Sequence, residues 1–138
     1  PSVRVEEKDL NGYSITLAES DEMAQQRAVL EWIFNYEKLS GEPVLNSNDM
    51  LENLQANLPD FHVVDMTGIT LYDALTMISD GIPLVVKNSE GTWCVAEGYV
   101  NGYIVIADPK DGTVSGYEQD SAVNGIASSG NVIYSYYK

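Results

Sequence analysis

The chain has 138 residues, of which 44% are hydrophobic, as expected for a globular domain and not for a disordered chain. Its 21 acidic and 7 basic residues give a formal net charge of −14, which disfavours binding to nucleic acid or to anionic membrane surfaces. No apolar run is long enough to span a membrane, and the one cysteine cannot form an internal disulfide.

The N-terminal half is predicted to contain short strands at residues 3–5 and 13–17, followed by a long amphipathic helix. Ser20 or Asp21 can cap this helix, and Gly41 with Pro43 ends it. The length predicts a single domain over residues 1–138. Because residue 1 is proline, we expect this domain to have been cut from a longer chain.

Two further helices are predicted before the sequence changes its periodicity. The first begins at Ser47 or Asn48 and stops at Pro59, and a short strand follows at residues 61–64. The next begins at Thr70, where Asp73 completes a pattern similar to a capping box.

The C-terminal half has the period of an antiparallel sheet. The predicted strands cover residues 84–86, 92–100, 103–107, 113–117 and 131–137, with one helical turn near residues 120–123. Asn101-Gly102 is typical of a type I′ hairpin turn. Helices followed by an antiparallel meander predict an α+β fold, with the N-terminal helices packed on one side of the sheet.

Residues 75–108 carry the most informative motifs. In order, these are Gly81-Ile82-Pro83 before an apolar strand, a strand that begins at Thr92, Gly98-Tyr99 six residues later, and Asp108-Pro109 after a hairpin. This pattern resembles the papain-like cysteine peptidases, especially the bacterial branch that includes the double-glycine leader peptidases. The resemblance implies a papain-like fold, a catalytic histidine six residues before Gly-Tyr, and an Asp-Pro acid that orients it.

The sequence departs from the family pattern at the catalytic positions. Thr92 stands where the histidine is expected, and threonine cannot act as a general base near neutral pH. The start of the first helix, residues 23–26, has no cysteine, and residues 10–22 have no glutamine for an oxyanion hole. Asp108 alone matches, so no catalytic residue set is intact, and Thr92 and Asp108 are interpreted as vestigial catalytic positions.

Cys94 and His62 are the only residues of their kinds, and they offer an alternative. Cys94 could be a displaced nucleophile if it formed a hydrogen bond with His62. Burial preferences instead favour a buried cysteine in the core and an ordinary strand histidine. One cysteine and one histidine cannot form a zinc cluster, and the acids around Asp108 lack the spacing of a calcium loop, so neither a metal nor a cofactor is predicted.

The resemblance leads to a non-catalytic domain that binds a peptide or protein partner through the former cleft, with Thr92, Trp93 and Asp108 as binding residues. Two alternatives are an active cysteine peptidase with Cys94 as its nucleophile and a structural module of a larger cell-surface protein. An extracellular or cell-surface location is expected. The oligomeric state is left open.

Overall fold

The structure, a computed structural model, describes residues 13–138, and the strand predicted at residues 3–5 lies outside this range. Within residues 13–138 there are four helices and six strands. The helices are α1 (Glu22–Glu37), α2 (Met50–Asn57), α3 (Leu71–Ser79) and α4 (Gln119–Ser128). The strands are β1 (His62–Asp65), β2 (Leu84–Lys87), β3 (Trp93–Val100), β4 (Tyr103–Asp108), β5 (Thr113–Glu118) and β6 (Ile133–Tyr137).

Side-chain caps begin two of the helices where the sequence predicts them. The Asp21 carboxylate accepts a hydrogen bond from the Ala24 backbone N–H at 3.1 Å and starts α1. The Thr70 hydroxyl accepts from the Asp73 N–H, also at 3.1 Å, and starts α3. Each bond satisfies a backbone donor that has no partner inside the helix. These two predicted starts are confirmed.

The strands form a six-stranded sheet in the order β1-β6-β2-β3-β4-β5, and every neighbouring pair is antiparallel. Asn101 and Gly102 join β3 to β4 with φ angles of 51° and 84°. Positive φ at both central residues is what a type I′ turn requires, so the predicted turn is confirmed. The last strand, β6, lies between β1 and β2 and so joins β1 to the rest of the sheet.

Helices cover both faces of the sheet, which differs from the prediction that they lie on one side. α1 and α2 pack with Val85, Val95 and the face of the sheet that these residues share. α3 and α4 pack with Leu84, Val86 and the opposite face. The signal was present in the sequence: a strand that is apolar at successive positions is buried on both sides.

Two other segments differ from expectation. Residues 13–17 do not form a strand; Trp32 Nε1 donates to the Tyr13 carbonyl at 3.2 Å and Ala18 N–H donates to the Pro109 carbonyl at 2.7 Å. α4 has ten residues where one helical turn was expected. Ala122 and Ile126, four residues apart, bury one face of α4, and this packing outweighs the weak helix propensity of its serine, asparagine and glycine residues.

The α+β arrangement of helices on an antiparallel sheet is confirmed. Among the helices of residues 13–138, none has both the length and the apolar character needed to cross a bilayer.

Candidate functional site at the start of the first helix

The N-terminal end of α1 lies against the first residue of β3. The Gln25 side-chain oxygen accepts a hydrogen bond from the Trp93 backbone N–H at 3.3 Å, and Gln25 Nε2 donates to the Glu19 carbonyl at 2.8 Å. The Trp93 indole N–H donates to the Glu22 carboxylate at 3.3 Å. Because Gln25 and Trp93 are both buried, these bonds fix the end of the helix relative to the strand.

A polar cleft of about 160 Å³ opens beside this contact. Its lining residues are Ser20, Glu22, Gln25, Lys87, Glu90, Gly91, Thr92 and Lys110. Lys110 forms an ion pair with Glu90 at 3.3 Å, and the Lys87 ammonium lies 4.8 Å from the centroid of the Trp93 ring. The cleft therefore presents both signs of charge together with amide and hydroxyl groups, which can form ion pairs and hydrogen bonds.

Thr92 belongs to this cleft because it closes the turn between β2 and β3. Its backbone N–H donates to the Asn88 side-chain oxygen at 3.0 Å, and its carbonyl accepts from the Asn88 N–H at 3.0 Å. Only 2% of Thr92 is exposed. These two bonds hold the turn in place, and Thr92 is therefore fixed beside Glu22 and Gln25 of α1 in the lining of the cleft.

Asp108 lines a second cavity, of about 360 Å³, between β4, β5 and α4. The residues around it are Asn88, Ser89, Glu90, Ile106, Asp108, Asp111, Tyr117, Ser121, Ala122, Gly125 and Ile126. Glu90 is the one lining residue common to the cavity and the cleft as described. The structure therefore brings Thr92 and Trp93 to the end of α1 and places Asp108, the third residue predicted for the cleft, in the neighbouring cavity.

The Asp108 carboxylate is buried and makes its hydrogen bonds locally. It accepts a hydrogen bond from the Lys110 backbone N–H at 2.9 Å, and it interacts electrostatically with the Cys94 thiol of the neighbouring strand. Burial raises the pKa of Asp108, an effect that the Lys110 N–H opposes and the charges of Asp111 and Glu90 reinforce. Ionisation of Asp108 is therefore disfavoured by burial and by the two neighbouring carboxylates.

Cys94 and His62 lie too far apart in the sheet to form a hydrogen-bonded pair. Cys94 is fully buried on the face that packs with α3 and α4, and burial followed by the Asp108 charge raises its pKa far above the ordinary range. His62 is exposed on β1, with its ring 5.1 Å from that of Tyr137. Strands β6 and β2 separate β1 from β3, a distance of roughly 14 Å at the usual strand spacing.

Sequence reasoning missed Glu22 and Gln25 as residues of this region. They are three positions apart in α1 and so share one helical face, a signal that was available. The contact that both residues make with Trp93 could not be predicted from the sequence, because it depends on how α1 is placed on the sheet. Within residues 13–138, no group of three histidine, cysteine, aspartate or glutamate side chains is arranged to hold a metal ion.

Solved structures with a similar fold include two peptidases. One, from Bacillus anthracis, is described as a C39-like peptidase; it has a TM-score of 0.57 and 17% identity, and the match covers 71% of this chain and 62% of that one. The other is a double glycine motif protease from an AMS/PCAT transporter, solved in complex with its leader peptide; it also has a TM-score of 0.57, with 11% identity, and the match covers 92% of this chain and 94% of that one.

At these identities the likeness shows the fold alone, and that fold is the papain-like one of the C39-like peptidases, as predicted. The matched part spans 62% of the Bacillus anthracis protein's length. No family model matches the sequence, and no curated protein matches it either.

Proposed function

We propose that this domain binds a segment of a peptide or protein partner in the cleft at the start of α1 and does not cleave it. The observation that carries the proposal is the composition of the cleft. It lies where α1 meets the start of β3, and its lining residues as described include neither a cysteine nor a histidine. A cleft of this kind offers contacts to a peptide without a nucleophile and base of the family's type.

Two further observations support binding without cleavage. The Gln25 side chain lies between α1 and β3, where its amide nitrogen donates to the Glu19 carbonyl and its amide oxygen accepts from the Trp93 N–H. The chain's one thiol, Cys94, is buried with a raised pKa on the face of the sheet opposite α1. The double glycine motif protease with the same fold was solved with a leader peptide bound, which is consistent with a peptide partner for this domain.

The test is a selection of random peptides displayed on phage against the immobilised domain, followed by affinity measurements by fluorescence anisotropy. The variant Ser20→Trp places a large side chain at the exposed rim of the cleft and is expected to weaken binding of the selected peptides at least about tenfold. Ser40→Trp is the matched control, since Ser40 is exposed beyond the other end of α1. Equal loss in both variants, or in neither, contradicts the proposal.

Mass spectrometry of the same peptides after incubation with the domain separates binding from catalysis. The proposal expects every peptide to remain intact. Cleavage that disappears in Cys94→Ser would instead establish the displaced-nucleophile peptidase. A selection that yields no peptide above background favours the third possibility, a structural module of a larger cell-surface protein.

A further inference from the structure

The cavity between β4, β5 and α4 combines an apolar floor with an acidic wall. Ile106, Ala122 and Ile126 form the floor, and each is at most 7% exposed. The carboxylates come from three separate segments: Glu90 from the turn after β2, Asp108 from the end of β4, and Asp111 from the turn before β5. At about 360 Å³ the cavity is at the lower end of the sizes typical of ligand pockets.

The negative charge in this cavity is not balanced by the protein within residues 13–138. Lys110, the nearby cation, is paired with Glu90 at 3.3 Å, and no ion pair reaches Asp108 or Asp111 in the described part of the chain. Asp108 is only 7% exposed, and among residues 13–138 the one hydrogen bond that its carboxylate accepts at a short distance comes from the neutral Lys110 backbone N–H, at 2.9 Å. A buried carboxylate without a cationic partner favours a ligand that supplies the positive charge.

The carboxylates of the cavity lie close enough together to shift the pKa values of neighbouring groups. The charges of Asp111 and Glu90 raise the pKa of Asp108, after burial, which is the larger cause. Burial also raises the pKa of the Tyr117 hydroxyl, and the charges of Asp108 and Asp111 add to the effect. Asp108 and Tyr117 thus both experience the negative potential of the cavity.

We infer that this cavity binds the side chain of a lysine or arginine from a partner polypeptide. The aliphatic stem of such a side chain would lie on Ile106, Ala122 and Ile126, and its cationic group would reach Asp108. The ring of Tyr117, 37% exposed, stands at the rim, where it can contact a cation through its face.

Two features favour a polypeptide side chain over other cations. A hydrated metal ion gains nothing from an apolar floor, and no three acidic side chains among residues 13–138 are arranged as metal ligands. The rim residues Glu90, Asp111 and Ser121 are exposed, which leaves room for the partner's main chain outside the cavity while one side chain enters.

The cavity borders the cleft of the proposed function and shares Glu90 with it, but the inference does not depend on that function. Asp108 lies on the sheet face covered by α3 and α4, next to Cys94, whereas Gln25 and Trp93 belong to the α1 side. The variant Ser20→Trp is therefore expected to leave binding at this cavity unchanged.

The experiment is an NMR titration of the ¹⁵N-labelled domain with the peptide acetyl-Gly-Ala-Arg-Ala-Gly-amide. The control peptide has citrulline, the neutral analogue of arginine, at the central position. We expect shift changes concentrated in α4, the β2–β3 turn and β5, and an affinity for the arginine peptide at least about tenfold higher, as for a charge-assisted hydrogen bond. Equal affinities, or shifts spread evenly over the acidic surface, would overturn the inference.

Charge variants locate the effect. Asp108→Asn should remove most of the preference for arginine over citrulline, and Asp111→Asn should reduce it, while Asp60→Asn removes the same charge from an exposed turn away from the cavity and should preserve it. If Asp108→Asn fails to fold, Asp111→Asn still decides, because Asp111 is exposed. A preference that is unchanged in Asp111→Asn, or that falls equally in Asp60→Asn, contradicts the site.

Shape variants and a small cation complete the test. Ser121→Leu narrows the cavity without changing its charge and should weaken the arginine peptide several-fold, whereas Asn124→Leu, on an exposed position of α4 that does not line the cavity, should not. Butylguanidine supplies the cation and stem without a main chain. If it binds as tightly as the peptide, the ligand is a free organic cation and the assignment to a polypeptide is wrong.

Discussion

The two faces of the sheet are held to their helices in different ways. On the side of α1, buried polar groups form directed bonds: Trp32 Nε1 donates to the Glu97 carboxylate at 3.1 Å, and the Tyr136 hydroxyl donates to Glu37 at 2.9 Å. On the side of α3, the contacts are mostly aliphatic, as in the packing of Leu75 and Ile78.

This difference indicates what each face contributes. Hydrogen bonds between buried groups depend on direction, so they specify one placement of α1 on the sheet, and with it the cleft beside Trp93. Aliphatic packing depends mainly on volume and area and tolerates rearrangement. We therefore expect the α1 side to be sensitive to the chemistry of a substitution and the α3 side to be sensitive to its size.

The largest effect is expected from Trp32→Ala on the α1 side. Trp32 is 2% exposed, stacks on Tyr36 at 5.0 Å, and supplies a hydrogen bond to buried Glu97. The substitution should lower the free energy of unfolding by about 3–5 kcal/mol, through the cavity alone. Urea unfolding followed by circular dichroism measures the loss.

Trp32→Phe is the control that separates size from chemistry on this side. It keeps much of the ring volume but removes the donor to Glu97, which is 7% exposed, and it should still cost about 1–3 kcal/mol. A value near zero would show that packing, and not the hydrogen bond, dominates the α1 side, and the comparison would fail there.

The next effect is expected at Leu75, which is 1% exposed in the aliphatic cluster of the α3 side. Leu75→Ala should lower the free energy of unfolding by about 2–5 kcal/mol. Leu75→Met, which nearly conserves volume, should cost less than about 1.5 kcal/mol. Both are measured by urea unfolding, and an equal cost for the two substitutions argues against a face governed by size.

A smaller effect is expected from Gln25→Ala at the cleft. The change leaves the buried Trp93 backbone N–H without its side-chain acceptor and the Glu19 carbonyl without its donor, so it should cost about 1–3 kcal/mol. Hydrogen exchange at the Trp93 amide should accelerate more than exchange in β5, on the far edge of the sheet.

Gln25→Glu is the matched variant, since its carboxylate can still accept from the Trp93 N–H but cannot donate to the Glu19 carbonyl. The Trp93 amide should then remain more protected than in Gln25→Ala. The same exchange rate at Trp93 in both variants would mean that the Gln25 acceptor does not hold the strand.

The smallest effect is a pH dependence at Asp108 on the α3 and α4 side. Burial raises the pKa of Asp108 above its ordinary value of 3.8, so the folded chain binds this proton more tightly than the unfolded chain. The contribution of Asp108 to stability is therefore present at low pH and is lost as the pH rises through the folded pKa.

Asp108→Asn removes this titration and retains an acceptor for the Lys110 N–H. The free energy of unfolding of the variant minus that of the natural protein should rise with pH from about 3.8 and then level off. Urea titrations at a series of pH values provide the difference curve. A flat or falling difference would show that ionised Asp108 is well solvated or compensated.

Local signals in the sequence were sufficient for most elements and for the fold class. The caps at Asp21 and Thr70 and the turn at Asn101-Gly102 are decided within a few residues, because each depends on a short side chain or on positive φ. The apolar periods of α1 and β3 likewise report burial. The absence of a cysteine from the first turn of α1, and the single cysteine and histidine of the chain, are also facts of sequence.

Tertiary structure decided how these elements meet. The apolar strands indicate that both sheet faces are buried, but they do not indicate that α3 and α4 cover the second face. Nor does the sequence specify that β6 lies between β1 and β2, or that α4 extends over ten residues by burying Ala122 and Ile126. Sequence reasoning predicted that Asp108 and Thr92 line one cleft. In the structure, Asp108 lies beside Cys94 and lines the neighbouring cavity instead. Such placements depend on contacts between residues distant in the chain, which local propensity and periodicity do not encode.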